Sequence, residues 1–190
     1  MSATAHTAAA RPLRADAQRN REALLEAASA AFAEKGVDTS LEDVAKRAGV
    51  GIGTLYRHFP TRQTLLEAVY LEEVEAMARA ADDLTALPPW DALSRWLHQY
   101  VGFAATKRAL TQALLEAAPD SNVLLRCRVA ITETGDALVE RAQRAGVVRE
   151  DTSFQDVGRM VAGIAMVPTT DDEQKTRLLE LALDGLRYRA

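Results

Sequence analysis

The chain has 190 residues, 48% hydrophobic and 26% charged, enough apolar material for one large or two small domains and too much for extended disorder. A single cysteine, Cys127, excludes an intrachain disulfide framework and a cysteine-rich zinc site. The net charge of −4 conceals an asymmetry, with 8 Lys+Arg against 7 Asp+Glu over residues 1–60 and 15 against 20 thereafter, a sign that suits an N-terminal module facing a polyanion.

Residues 1–17, rich in Ala, Thr and Arg without periodicity, read as a disordered arm carrying Arg11 and Arg14. They lack the apolar core of a signal peptide, so a cytoplasmic protein is expected. From Asp16 the pattern turns helical, with Leu25, Ala28 and Phe32 on one face and Lys35-Gly36 as the stop. Thr39 with Glu42, or Ser40 with Asp43, offers an N-terminal capping box for a helix of about two turns ending before Gly49. A second short helix begins at Gly51 or Ile52 and closes before Pro60. Thr61 caps the next, which runs towards Ala80 with Leu65, Leu66, Val69 and Val74 inward. After the linker broken by Pro88-Pro89, Trp90, Leu93, Trp96, Leu97, Tyr100 and Val101 mark a helix, and Lys107 to Ala118 a separate short one ended by Pro119. A long helix follows from Ser121 or Asn122 to Ala145. Ser153 with Asp156 caps a helix closed by Pro168, and Thr170 with Glu173 caps the last, which ends near Arg187. The expected fold is all-α, of about nine helices, without strands. The longest apolar run, Met160 to Val167, is too short to span a bilayer, so no membrane partner is expected.

The segment Ser40–Gly53 reads helix, glycine turn, helix. Gly49 permits a sharp reversal, with Val50 as a buried plug, and the second helix is short enough to lie in a major groove. Thr54 carries a hydroxyl and a methyl suited to a base edge, helped by Ile52 and Leu55. Thr39, Tyr56, His58 and Arg62, with the helix start at Gly51, are the expected phosphate contacts. A dinucleotide loop is the rival reading of Gly49, Gly51 and Gly53. The third glycine of that pattern is missing, and a helix rather than a strand precedes the segment.

These residues carry a family resemblance. TSLEDVAKRAGVGIGTLYRHFPTRQTLLEAV resembles the DNA-binding region of the tetracycline-repressor (TetR) family of transcriptional regulators over about Asn20–Val69. Gly51 stands where the family usually has Ser, and Arg62 where it usually has Lys. The resemblance implies a homodimer that binds a double-stranded DNA operator, a three-helix reader over residues 18–62, and a helical effector-binding and dimerisation domain over 63–190. In such a domain Trp96, Tyr100 and Phe103, with Leu114, Met77 and Met166, are candidate pocket residues, and an apolar or flat aromatic effector is expected. An ordinary core role explains the same aromatic stripe.

Two late stripes suit a four-helix dimer interface: Val157, Met160, Val161 and Ile164, and Leu178, Leu179, Ala182 and Leu186. No motif assembles a nucleophile, base and oxyanion donors, and no metal or cofactor is implied. The expected role is therefore a regulator, with a repressor released by its effector as the specific form. The alternatives are a small helical enzyme with a dispersed site, or an adaptor using the helix-turn-helix for protein contacts.

Overall fold

A computed structural model describes residues 10–117, 121–168 and 172–187. They form eight α-helices: α1 (Ala10–Lys35), α2 (Leu41–Arg47), α3 (Ile52–His58), α4 (Arg62–Asp83), α5 (Pro89–Ala117), α6 (Val123–Arg144), α7 (Phe154–Ala165) and α8 (Asp172–Leu186). The only β-type pairing among the described residues is a single bridge between Val148 and Arg187. The chain divides into two compact units. One holds the described residues up to Val69 together with the end of α5 from Ala113. The other holds Tyr70–Gln112 and the described residues from 121 onward. The boundary expected at residue 62 thus falls seven residues later, inside α4.

Two expectations change. The arm expected over 1–17 is helical from Ala10. Ala and Arg are good helix formers, and Pro12 falls in the first turn, where its missing N–H costs nothing. Residues 1–9 and the Thr170 cap lie outside the described residues. The two helices expected over residues 90–118 are one, α5. Nothing between Val101 and Lys107 breaks it, because Gly102 inside a helix costs only about 1 kcal/mol.

Most boundaries follow local chemistry. Gly36, Gly49 and Gly146 adopt positive φ at helix ends, where glycine alone avoids a Cβ penalty. Ser40 Oγ accepts from Asp43 N at 3.1 Å and starts α2. Thr61 Oγ1 accepts from Thr64 N at 3.1 Å, while Thr64 Oγ1 accepts from Thr61 N at 3.2 Å, at the start of α4. Ser153 and Asp156 form the reciprocal capping box of α7.

In the N-terminal unit, α1, α2 and α3 pack on Leu24, Ala28, Phe32, Val44 and Leu55, all buried. Leu65, Leu66 and Val69 of α4 are buried as expected. In the second unit the core gathers Val74, Leu93, Trp96, Leu97, Ile131, Leu138, Val157, Val161, Leu179 and Leu183. Lys107 of α5 forms an ion pair with Glu73 of α4, and both side chains are largely buried. His98 of α5 reaches Glu180 of α8 at 2.9 Å.

Candidate nucleic-acid interface and effector cavity

The reader is built around α3. Val50 N donates to Ala45 O at 3.0 Å, closing the turn after α2, although Val50 is half-buried rather than a buried plug. Gly51 caps α3 with extended backbone and no side-chain hydrogen bond, leaving the first N–H groups of the helix without a side-chain acceptor. Leu55 and Phe59 anchor the helix from below, at 0% and 3% exposure, and Arg21 lies over the Phe59 ring at 5.7 Å. The other face is open: Ile52 is 36% and Tyr56 46% exposed, Gly51, Gly53 and Arg57 are exposed, and Thr54 and His58 are half-buried. Arg57, not singled out from the sequence, joins this surface. Its signal was the one-residue step from Tyr56 on a helix whose inward residues are Leu55 and Phe59.

Three expected DNA contacts sit differently. Leu55 is core and faces no base: it is the buried residue of the seven-residue α3, and a helix this short is held by its packing. Thr39 is 7% exposed and its hydroxyl donates to Gly36 O at 2.8 Å, so it is turned inward, away from phosphate. The Arg62 guanidinium donates to Val37 O, and to Thr39 O at 2.8 Å. It satisfies the carbonyls of the α1–α2 turn instead of pointing to solvent.

The second unit contains a cavity of about 610 Å³, within the size range of small-molecule sites. Tyr70 of α4 and Tyr100 and Phe103 of α5 form one side. Cys127, Arg128, Ile131, Thr132 and Asp136 come from α6, and Phe154, Gly158, Arg159 and Ala162 from α7. The aromatic rings are mutually packed: Tyr100 stacks on Trp96 at 5.5 Å and on Phe103 at 6.0 Å, while Phe154 meets Tyr100 edge-on at 5.8 Å. Burial raises the Tyr70 and Tyr100 hydroxyls above their usual range, so both stay protonated and able to donate. Burial likewise pushes the Cys127 thiol up, leaving it a small apolar wall rather than a nucleophile.

Of the six pocket candidates, Tyr100 and Phe103 line this cavity. Trp96 is wholly buried behind Tyr100, its indole N–H donated to Met77 O at 2.9 Å. Met77 is core at 8% exposure, Leu114 is buried at the end of α5, in the part grouped with the N-terminal unit, and Met166 is 45% exposed outside the cavity. An apolar stripe on one helix cannot tell a wall from the layer behind it; Tyr70, Phe154 and the α6 residues were missed because they come from three other helices.

The dimer candidates also divide. Val157, Val161, Leu179 and Leu186 are buried within the chain's own core. Met160 is 37% exposed, Ile164, Leu178 and Ala182 are half-buried, and Leu181, not anticipated, is 70% exposed. Each stripe thus mixed an inward row with an outward one, as a helix apolar over more than half its circumference does.

Among the described residues no helix is long and apolar enough to cross a membrane, and no three His, Cys, Asp or Glu side chains group as metal ligands. Residues 24–69 match the family described as bacterial regulatory proteins, tetR family, and residues 88–188 match the C-terminal domain of SbtR-like transcriptional regulators. A TetR transcriptional regulator of Streptomyces coelicolor is 38% identical and superposes with a TM-score of 0.77, covering 90% of this chain and 99% of its own. A TetR transcription regulatory protein of Mycobacterium vanbaalenii is 35% identical at a TM-score of 0.78, covering 93% and 100%. An HTH-type transcriptional regulator of Staphylococcus aureus is 37% identical over 79 residues, 40% of this chain and 41% of the relative. These relatives are regulators and not enzymes. An α3 anchored by Leu55 with its other face open, a helical second unit, and family matches to both parts of the chain lead to one assignment: the chain belongs to the TetR family and is a DNA-binding transcriptional regulator.

Proposed function

We propose that the protein is a cytoplasmic homodimeric repressor that leaves a palindromic operator when a small molecule occupies the α4–α7 cavity. The open face of α3, with Tyr56 46% exposed above a buried Leu55, is the observation that carries the DNA-binding part. Thr54 and Ile52 meet base edges. Tyr56, His58 and Arg57 meet phosphates, and Gly51 and Gly53 let the backbone come close. A single seven-residue reader makes too few contacts for a specific site, so two copies must bind half-sites related by a two-fold axis. The outward row of Met160, Ile164, Leu178 and Leu181 on α7 and α8 supports pairing through those helices.

Helix α4 carries Leu65 in the reader's core and Tyr70 on the cavity wall, five residues apart. A ligand that prefers one placement of Tyr70 therefore biases the helix that begins the reader's support. Only differential affinity can do this: a tenfold loss of operator affinity needs about 1.4 kcal/mol of coupling, and operator must weaken ligand binding equally.

The test begins with duplexes selected from a randomised library by the purified protein. Binding should fall steeply with salt, the selected sites should be palindromic, and Thr54→Ala should relax preference at one base position per half-site. Light scattering should report twice 20.7 kDa. Selection that enriches nothing, or a 20.7 kDa species at micromolar concentration, overturns the reading.

A further inference from the structure

We infer that the cavity of the second unit takes a planar aryl carboxylate carrying a hydrogen-bond donor at its far end. This rests on the reading of that cavity as the effector site and specifies its ligand class. Tyr100, Phe103 and Phe154 present ring faces and edges to the space, which favours a flat aromatic body. The polar groups are not evenly spread. Arg128, Thr132 and Asp136 follow one another at four-residue spacing along the cavity face of α6, so the cation and the acid lie roughly 12 Å apart along the axis. Arg128 is exposed and has no ion-pair or hydrogen-bond partner among the described residues.

Arg159, from α7, adds a second guanidinium to the wall. Its neighbour Asp156, which feels the Arg159 charge, lies outside the cavity lining and is held in the capping box, accepting from Ser153 Oγ at 2.7 Å and Ser153 N at 3.3 Å. Two guanidiniums against one carboxylate leave the cavity with a net positive lining. A guanidinium fork matches a carboxylate in two parallel hydrogen bonds. Asp136 is half-buried and unpartnered among the described residues. An anion placed against it is repelled, whereas a phenol or amine donates to it. The separation of these groups orients the molecule: carboxylate toward Arg128 and Arg159, donor toward Asp136, ring between. A purely apolar ligand would leave Asp136 desolvated without a partner, which is unfavourable.

The experiment is isothermal titration calorimetry of the full chain with 4-hydroxycinnamate, its methyl ester, and cinnamate. The expected order is 4-hydroxycinnamate tightest, with the ester and cinnamate each at least tenfold weaker. Arg128→Gln with Arg159→Gln should weaken the acid at least tenfold and the ester less than twofold. Asp136→Ala, which removes the acceptor, should erase the difference between 4-hydroxycinnamate and cinnamate. Arg144→Gln, in the last turn of the same helix and outside the cavity lining, is the control and should change neither, with circular dichroism verifying that each variant is folded. Equal affinities for acid and ester, an unchanged double variant, or no binding by any of the three overturns the assignment. A parallel titration of the protein bound to its selected duplex separates this from the regulatory reading. If the acid binds through the two arginines but leaves the duplex bound, the ligand class stands and effector release fails. If a neutral aromatic releases the duplex while the acid does not bind, effector release stands and the ligand class fails.

Discussion

Replacing Gly135 by alanine would drive a methyl group into the ring of Phe154. A Cβ built at Gly135 falls within 3.0 Å of three ring carbons, Cγ, Cδ1 and Cδ2, where ordinary contact begins at 3.4 Å. The ring would have to retreat by about 1 Å or more to reach ordinary carbon contact. Its retreat is limited: a Cβ at Gly158 would already stand 3.1 Å from Cζ, and Trp96 and Tyr100 meet the ring edge-on at 5.5 and 5.8 Å. Alanine gains about 1 kcal/mol in helix propensity, against an overpacking cost of about 1–3 kcal/mol, more where nothing can yield. Since the struck atoms belong to a rigid, hemmed-in ring, the cost should exceed the gain, for a net loss of about 2 kcal/mol. In a chain of this size that lowers Tm by about 4–8 °C, measured at fixed protein concentration because the proposed dimerisation would make Tm depend on it. Urea unfolding followed by circular dichroism gives the free energy directly. Gly102→Ala, inside α5 with nothing within 4 Å of its Cβ, should be stabilising, by up to about 1 kcal/mol. Adding Phe154→Leu to Gly135→Ala should cost less than Phe154→Leu alone in a double-mutant cycle. If Gly135→Ala raises stability as Gly102→Ala does, Phe154 is not held in a glycine slot and the cavity wall is wrongly drawn.

Four further outcomes follow from other parts of the molecule. Arg62→Ala should lower stability by about 1–3 kcal/mol, because two carbonyls of the α1–α2 turn lose a charged donor; the salt slope of DNA binding should stay unchanged, and a slope lowered by about 1 with stability intact would return Arg62 to the phosphate contacts. Gly53→Ala should stabilise the free protein by about 0.5–1 kcal/mol, since its Cβ meets nothing, yet weaken DNA binding if α3 lies close in the groove; equal or tighter DNA binding would remove Gly53 from the interface. Leu181→Glu, at a 70% exposed position, should leave the fold intact by circular dichroism and weaken the dimer by at least about 100-fold in light scattering, as an unpaired charge does on entering an interface; an unaffected dimer would move the interface elsewhere. Hydrogen bonds from the Ser153 hydroxyl and backbone hold the Asp156 carboxyl below its usual range, so this group's contribution is present above about pH 4 and fades as pH falls through the lowered folded value; Ser153→Ala should flatten that part of the acid-unfolding curve, and identical curves would show that the cap carries none of the dependence.

What could be read from the chain alone was what local chemistry decides. The caps at Ser40, Thr61 and Ser153 and the stops at Gly36 and Gly146 each involve atoms within a few residues of one another, so the letters nearly determine the geometry. Leu55 shows where that reasoning ends. Its neighbours Thr54 and Tyr56 have an open face, but which residue of a seven-residue helix turns inward depends on α1 and α2, and burial at 0% answers it only once those helices are packed. Arg62 is the same lesson in polar form: its partners are 25 and 23 residues earlier, beyond any local periodicity.

The cavity was the least legible part, because it is a property of four helices. Trp96, Tyr100 and Phe103 share a stripe, yet the first is core and the other two are wall. The more telling letters were Gly135 and Gly158, glycines inside helices where propensity argues against them by about 1 kcal/mol each. A glycine kept in a helix interior signals something pressing close. Here both face the ring of Phe154, which in turn forms part of the cavity wall beside Tyr100. The two positions that local reasoning finds unfavourable are therefore the ones that seat an aromatic side chain against a helix backbone. A larger residue at either would push Phe154 from its seat and alter the space that a ligand must fill.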